Sequence, residues 1–117
     1  MNSLRDFAEL IKQEREIVGE KYGEQIHGGH AWLSLIVEEV GELAQAVNDL
    51  CLEPDGSGPA ININPRLAIN INNKLVQIAE LCYTAWEQAA RKGVPLAPNW
   101  SPYMHKSYIE SWEKKHE

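Results

Sequence analysis

Three glutamates stand in the run Glu38-Glu39-Val40-Gly41-Glu42-Leu43-Ala44-Gln45-Ala46-Val47, inside a segment whose apolar residues otherwise mark a core-facing helix. Carboxylates beside a buried face are costly unless something compensates them. A divalent cation is the simplest compensator. Mg²⁺ prefers hard oxygen ligands, keeps several waters and completes its shell with substrate phosphates. At about 100° per residue, Glu39 and Glu42 lie about 60° apart on a helix. They flank the apolar face, on the stripe that also carries Leu35 and Ala46, while Glu38 lies further toward solvent, one turn from Glu42. The three can converge at one end of a cleft. The competing reading is a solvated acidic face, which bare EExxE spacing often marks. The position of Glu39 on the border of the core favours the metal.

The elements that must position these groups read as helices. Ser3 with Asp6 three residues on is a capping-box arrangement, and Leu4, Phe7, Leu10, Ile11, Ile17 and Val18 then recur at helical spacing to about Tyr22. Gly23, Gly28 and Gly29 punctuate the join. A second helix is expected from near His30 to near Leu50, with Trp32, Ile36, Val40, Leu43 and Val47 on one face and Leu33, Val37 and Ala44 widening it. Cys51 to Pro65 reads as a linker, since Pro54-Asp55-Gly56-Ser57-Gly58-Pro59 has turn chemistry and cannot continue a helix. Ile61-Asn62-Ile63-Asn64 reads as extended loop. Asn64-Pro65 then looks like an N-cap followed by proline at the first helical position. Leu67, Ile71, Leu75, Ile78, Cys82, Ala85 and Ala89 carry a third helix to Arg91-Lys92, with Gly93 at its end. After a break at Val94-Pro95-Leu96-Ala97-Pro98, Ser101-Pro102 restarts a short helix through Trp112.

The expected fold is therefore all-α: one domain over residues 1–117, an antiparallel bundle of three long helices plus a short C-terminal one. Three wide apolar faces leave surface uncovered in a single copy, which implies a homodimer or homotetramer. The net charge of −6 disfavours nucleic acid, whose phosphates need a basic surface. It leaves room for a small phosphorylated ligand bridged by a metal. Cys51 and Cys82 show no CxxC spacing and fit a reducing compartment. The first ten residues carry Arg5, Asp6 and Glu9 rather than an apolar leader, and no apolar run reaches a membrane span. A cytoplasmic protein without membrane partners is the expectation.

The run from His30 to Ala46, HAWLSLIVEEVGELAQA, resembles the MazG-like all-α nucleoside triphosphate pyrophosphohydrolases. The likeness covers roughly residues 25 to 92, and its Val-Gly-Glu-Leu setting is fairly specific. In that family an EExxE helix, a variable loop and an ExxD helix together hold Mg²⁺. The resemblance implies that Glu39 and Glu42 are first ligands and that Glu38 is a ligand or a water-orienting base. It implies a nucleoside triphosphate substrate cleaved to monophosphate and pyrophosphate.

The second motif departs from the family pattern. Aligning the third helix by its apolar stripe puts Lys74 and Gln77 where the Glu and Asp would stand. Three readings stay open. Glu38, Glu39 and Glu42 hold the metal with help from Gln77; or Glu80, one turn on, supplies the missing charge; or Lys74 binds nucleotide phosphate and catalysis is weakened or lost.

Other residues are weighed against blander roles. Asn70, Asn73, Gln77 and Gln88 form a polar stripe that is either a solvated face or, at Asn70 or Asn73, a contact to base or phosphate across the cleft. Trp32 is read first as core and second as a base-stacking platform. Trp86 has the same bias, and Trp100 and Tyr103 either close over a ligand or staple the last helix. His27 and His30 lack the partners a zinc site needs, the residues three after Glu38, Glu39 and Glu42 are Gly41, Glu42 and Gln45 rather than the histidines a di-iron bundle wants, and no Walker-type loop is present. Two further classes stand beside the enzyme: a non-catalytic nucleotide-binding relative and a plain helical interaction module.

Overall fold

Ser3 opens helix α1 (Leu4–Tyr22) through a reciprocal pair of bonds: its hydroxyl accepts the Asp6 N–H at 3.2 Å, and the Asp6 carboxylate accepts the Ser3 N–H at 3.0 Å. These satisfy two of the donors that a helix start leaves free. Helix α2 (Gly29–Cys51) begins one residue before the expected His30 and ends one after Leu50. Its start needs glycine for a reason of space. The Gly29 N–H donates to the Leu96 carbonyl at 2.7 Å, and a Cβ at this position would stand 2.7 Å from the same oxygen. Helix α3 (Pro65–Ala90) is capped by Asn64, whose side chain accepts the Arg66 N–H at 3.0 Å, with Pro65 in the first turn. The computed structural model describes residues 3–61, 64–98 and 110–116. Asn62 and Ile63 of the expected extended loop, the Ser101-Pro102 helix start, Trp100 and Tyr103 lie outside them. Residues 110–115 form a short helix that includes Trp112.

The fold is all-α: among the described residues there is no strand, only an isolated bridge between Leu52 and Pro59 in the linker. No helix among them is long and apolar enough to cross a membrane. α3 is central. α1 and α2 each pack on it, and a cleft separates the two from one another. α2 runs antiparallel to α3, since Trp32 meets Gln88 near one end and Glu39 meets Lys74 toward the other. α1 is tied to the C-terminal half of α3 by a two-pronged ion pair from Arg15 to Glu87, one prong at 2.9 Å, with the guanidinium also over the Tyr83 ring.

The core is thinner than the apolar periodicity implies. Among the described residues the buried apolar side chains are Trp32, Ala46, Ala85 and Ala89, and the buried polar ones are Glu80, Glu87 and Gln88. The single wide face expected for α2 divides in two. Trp32, Leu35, Ile36, Glu39, Leu43 and Ala46 are covered wholly or partly, while Leu33, Val37, Val40, Ala44 and Val47 remain exposed. Periodicity marks apolar positions but does not say how many neighbours exist to cover them.

Gln88 joins the three segments at one end of the molecule. Its Oε1 accepts from the His27 N–H at 3.0 Å and from the Trp32 indole Nε1–H at 2.8 Å. Its Nε2 donates to the His27 carbonyl at 2.8 Å and to the Val94 carbonyl at 3.4 Å. A side chain 2% exposed that satisfies this many groups is expensive to remove, because its partners stay buried and unpaired. Gln88→Ala is expected to lower unfolding stability by about 3 kcal/mol in urea titration, and Gln88→Glu is expected to cost a similar amount because it buries a charge. A loss below about 0.5 kcal/mol would remove Gln88 from this role.

Candidate functional site

The cleft between α1, α2 and α3 is a cavity of about 430 Å³. α2 contributes Leu35, Glu38 and Glu39; α3 contributes Gln77, Glu80 and Leu81; α1 contributes Glu14, Ile17, Val18, Lys21 and Tyr22. Four residues singled out from the sequence, Glu38, Glu39, Gln77 and Glu80, therefore line one space from two helices. Spacing places them there: Glu38 and Glu39 follow Leu35 by about one turn, and Gln77 and Glu80 are three apart on α3.

Glu42 and Lys74 stand beside this cleft rather than in its lining. The Lys74 ammonium donates to Glu39 at 3.2 Å and also bonds Glu42. These bonds hold the Glu42 carboxyl below the usual carboxylate range and, with Glu42 as the larger cause, raise the Lys74 ammonium above its ordinary value. Lys74 thus acts as an internal cation for two of the three glutamates of the first motif. Asn73 is exposed on α3 and does not line the cleft. Trp32 is 2% exposed, packed edge-on against the His27 ring at 4.8 Å and bonded to Gln88, so its ring face is committed to the core and is not part of the cleft wall.

Glu80 is the most unusual carboxyl in the cleft. It is 4% exposed, and the Thr84 hydroxyl donates to it at 2.7 Å. Burial pushes its pKa up, and the nearby Glu14 charge adds to the rise. It also lines an adjoining cavity of about 370 Å³, whose walls include Arg15 and Lys92. Those two cations are paired with Glu87 and Glu24, and Glu87 is held low chiefly by Arg15.

The fit to a metal is one of donor chemistry. Glu14, Glu38, Glu39 and Glu80 offer carboxylate oxygens to the cleft, Gln77 offers a neutral oxygen, and Lys21 is the cation in its lining. This oxygen-only set suits a hard divalent cation, and the crowding of like charge around a buried carboxyl favours one. Among the described residues, no three such side chains are already gathered at ligating distance, consistent with Glu39 and Glu42 being drawn to Lys74.

Sequence reasoning missed two contributors, Glu14 and Lys21. Their signal was present: Glu14, Ile17, Val18 and Lys21 share one face of α1 at i, i+3, i+4 and i+7. It also assigned Gln88 to a polar stripe, whereas Gln88 is buried.

Comparison with protein families, with curated proteins and with solved structures finds no match. The functional reading therefore rests on the residues and their placement.

A glutamate whose folded pKa lies above its unfolded value penalises the folded state when ionised. That penalty is absent below the unfolded pKa of about 4.3, grows as pH rises toward the folded value and is complete above it. Glu80→Gln keeps an acceptor for Thr84 and removes the charge. It is expected to raise stability at pH 7 and to have little effect near pH 4, as read by thermal melts in the absence of metal. A variant equally stabilised at both pH values would contradict the burial account.

Proposed function

We propose that the cleft binds a nucleoside triphosphate with Mg²⁺ and that the chain is a nucleotide pyrophosphohydrolase of MazG-like type, converting (d)NTP to (d)NMP and pyrophosphate. The observation that carries this reading is the shared lining: Glu38 and Glu39 from α2 face Gln77 and Glu80 from α3 across one cavity. The EExxE setting supplies the resemblance, and removal of unwanted nucleotides from the cellular pool is the role it implies.

Glu38, Glu39, Glu42 and Glu80 are the residues that would hold the cation, with Gln77 assisting. When bound, Mg²⁺ would neutralise the triphosphate and make the α-phosphorus open to attack. The chain's own groups then divide the work. Glu38 orients a water in the cleft and accepts its proton as the water oxygen bonds to the α-phosphorus. The α–β bridging bond breaks, and pyrophosphate leaves with the electron pair. Lys21 on the α1 side and Lys74 at the α2–α3 border are the cations placed to meet phosphate oxygens. Leu35, Leu81 and Ile17 provide apolar wall that limits water near the reacting centre.

A second reading is favoured by one observation. Lys74 neutralises both Glu39 and Glu42, which supports nucleotide binding without turnover if that pairing persists when ligand arrives. In this case Lys74 serves as the phosphate contact, and the first motif no longer works as a metal site.

The test is a Mg²⁺-dependent screen of common NTPs and dNTPs with separate detection of pyrophosphate and orthophosphate. Monophosphate plus pyrophosphate is expected. Glu42→Gln is expected to abolish turnover with little loss of fold, because Glu42 is exposed; unchanged activity would remove it from the site. Stabilisation by Mg²⁺-nucleotide without product would select the second reading, since a ligand of the native state at about 100 times its Kd adds roughly 2.7 kcal/mol. Neither product nor stabilisation would leave the helical interaction module.

A further inference from the structure

Two cavities meet at one wall. The cleft of about 430 Å³ and the adjoining cavity of about 370 Å³ share Val18, Gln25 and Glu80. Each falls within the size of a small-molecule site. With triphosphate and cation in the cleft, the second cavity is the space next to them.

α3 runs past both. Gln77 lines the cleft, Glu80 lines both spaces and Thr84 lines the second cavity. Gln77 and Thr84 are seven residues apart, so they share a helix face and stand about 10 Å apart along its axis. That is close to the reach of a nucleoside 5′-phosphate from phosphorus to base edge. A nucleotide with its phosphates at Gln77 therefore brings its base to Thr84. On the α1 side, Gly19 and Gly23 line the cavity without side chains, and a Cβ at either would meet nothing within 4 Å. This leaves room for a flat ring.

The polar groups of this cavity are unequal. Its two cations are engaged, Arg15 by Glu87 and Lys92 by Glu24 and Glu87. The Thr84 hydroxyl commits its proton to Glu80 Oε1 at 2.7 Å, which leaves lone pairs on Thr84 Oγ1. The other Glu80 oxygen and the half-buried Gln25 amide have no hydrogen-bond partner among the described residues. No fully buried side-chain polar atom among those residues lacks a partner. The unanswered groups therefore face open space, and the space they line is that of the two cavities. What they offer is rich in acceptors: Thr84 Oγ1, Glu80 Oε2 and Gln25 Oε1, against one donating nitrogen, Gln25 Nε2.

We propose that the second cavity is a nucleobase site that selects adenine and cytosine, which carry an amine beside a ring nitrogen, over guanine and thymine, which carry a carbonyl there. The proposal rests on the cleft being a triphosphate site. Gln25 pairs with the edge of the base: Oε1 accepts from the amine and Nε2 donates to the ring nitrogen. Thr84 Oγ1 accepts the second amine hydrogen. In guanine or thymine the carbonyl oxygen would meet the Thr84 lone pairs with no proton between them, because Glu80 holds that proton. Two acceptors facing each other lose the hydrogen bond and keep the desolvation penalty.

The test is the affinity, with Mg²⁺, of α,β-methylene analogues of dATP, dCTP, dGTP and dTTP, beside inorganic triphosphate as a probe without a base. Wild type is expected to hold the dATP and dCTP analogues at least about tenfold tighter than the other two. Thr84→Val keeps the shape and removes the acceptor, and is expected to bring that ratio below about threefold. Gly19→Leu fills the cavity from an exposed helical position. It is expected to weaken all four analogues by about tenfold while inorganic triphosphate binds as in wild type. Equal affinity for the four analogues, a preference for dGTP and dTTP, a ratio that Thr84→Val leaves intact, or nucleotide affinities that Gly19→Leu leaves intact would each overturn the base site. If inorganic triphosphate still binds in those cases, the cleft reading stands. Failure of inorganic triphosphate and all four analogues to bind would overturn both.

Discussion

The buried Gln88 amide is the constraint on which the arrangement of helices depends. It bonds the α1–α2 connection at His27, the first turn of α2 at Trp32 and the segment after α3 at Val94. With the close approach of Gly29 to Leu96, this closes one end of the molecule. Fixing α2 against α3 at that end sets the register between the two, and so where Glu39 stands relative to Lys74 and Glu80. A polar side chain can do this in a thin core because each bond it makes has a defined direction, whereas aliphatic packing alone tolerates sliding.

Charge is arranged around that frame in two different ways. At the closed end, Glu87 is buried but answered by Arg15, with Arg91 and Lys92 within 3.7 Å. In the cleft, Glu14, Glu38, Glu39 and Glu80 face a space whose lining holds Lys21 as its cation. The first arrangement satisfies itself and holds α1 in place. The second leaves an excess of negative charge near a buried carboxyl, which is unfavourable for stability and useful for binding a cation. Lys74 sits at the border, drawing on Glu39 and Glu42, so any cation entering the cleft competes with it for the same oxygens.

Much of this was legible in the residues. Ser3 with Asp6 and Asn64 with Pro65 mark helix starts through local bonds, and both appear as read. Helical spacing marked Glu38 and Glu39 of α2 beside the core, and the resemblance singled out Gln77 and Glu80 of α3; the four line one cleft. What was not legible depends on neighbours. Whether Val40 or Leu75 is covered depends on which helices exist to cover it, and one chain does not supply enough. Trp32 was read both as core and as a base platform, and only the position of Gln88 commits its indole to the interior. Lys74 in place of an acid was visible in the sequence, but its bonds to Glu39 and Glu42 arise from the register between α2 and α3.

The most direct test of the central claim, that the cleft is the cation and nucleotide site, is paramagnetic broadening of backbone NMR signals by trace Mn²⁺ with a non-hydrolysable nucleoside triphosphate. The account predicts loss of signal centred on Leu35, Gln77 and Leu81, restored by excess Mg²⁺. Broadening centred instead on the acids at the end of α2 and in the linker after it, Asp49 and Glu53, or none at all, would contradict it.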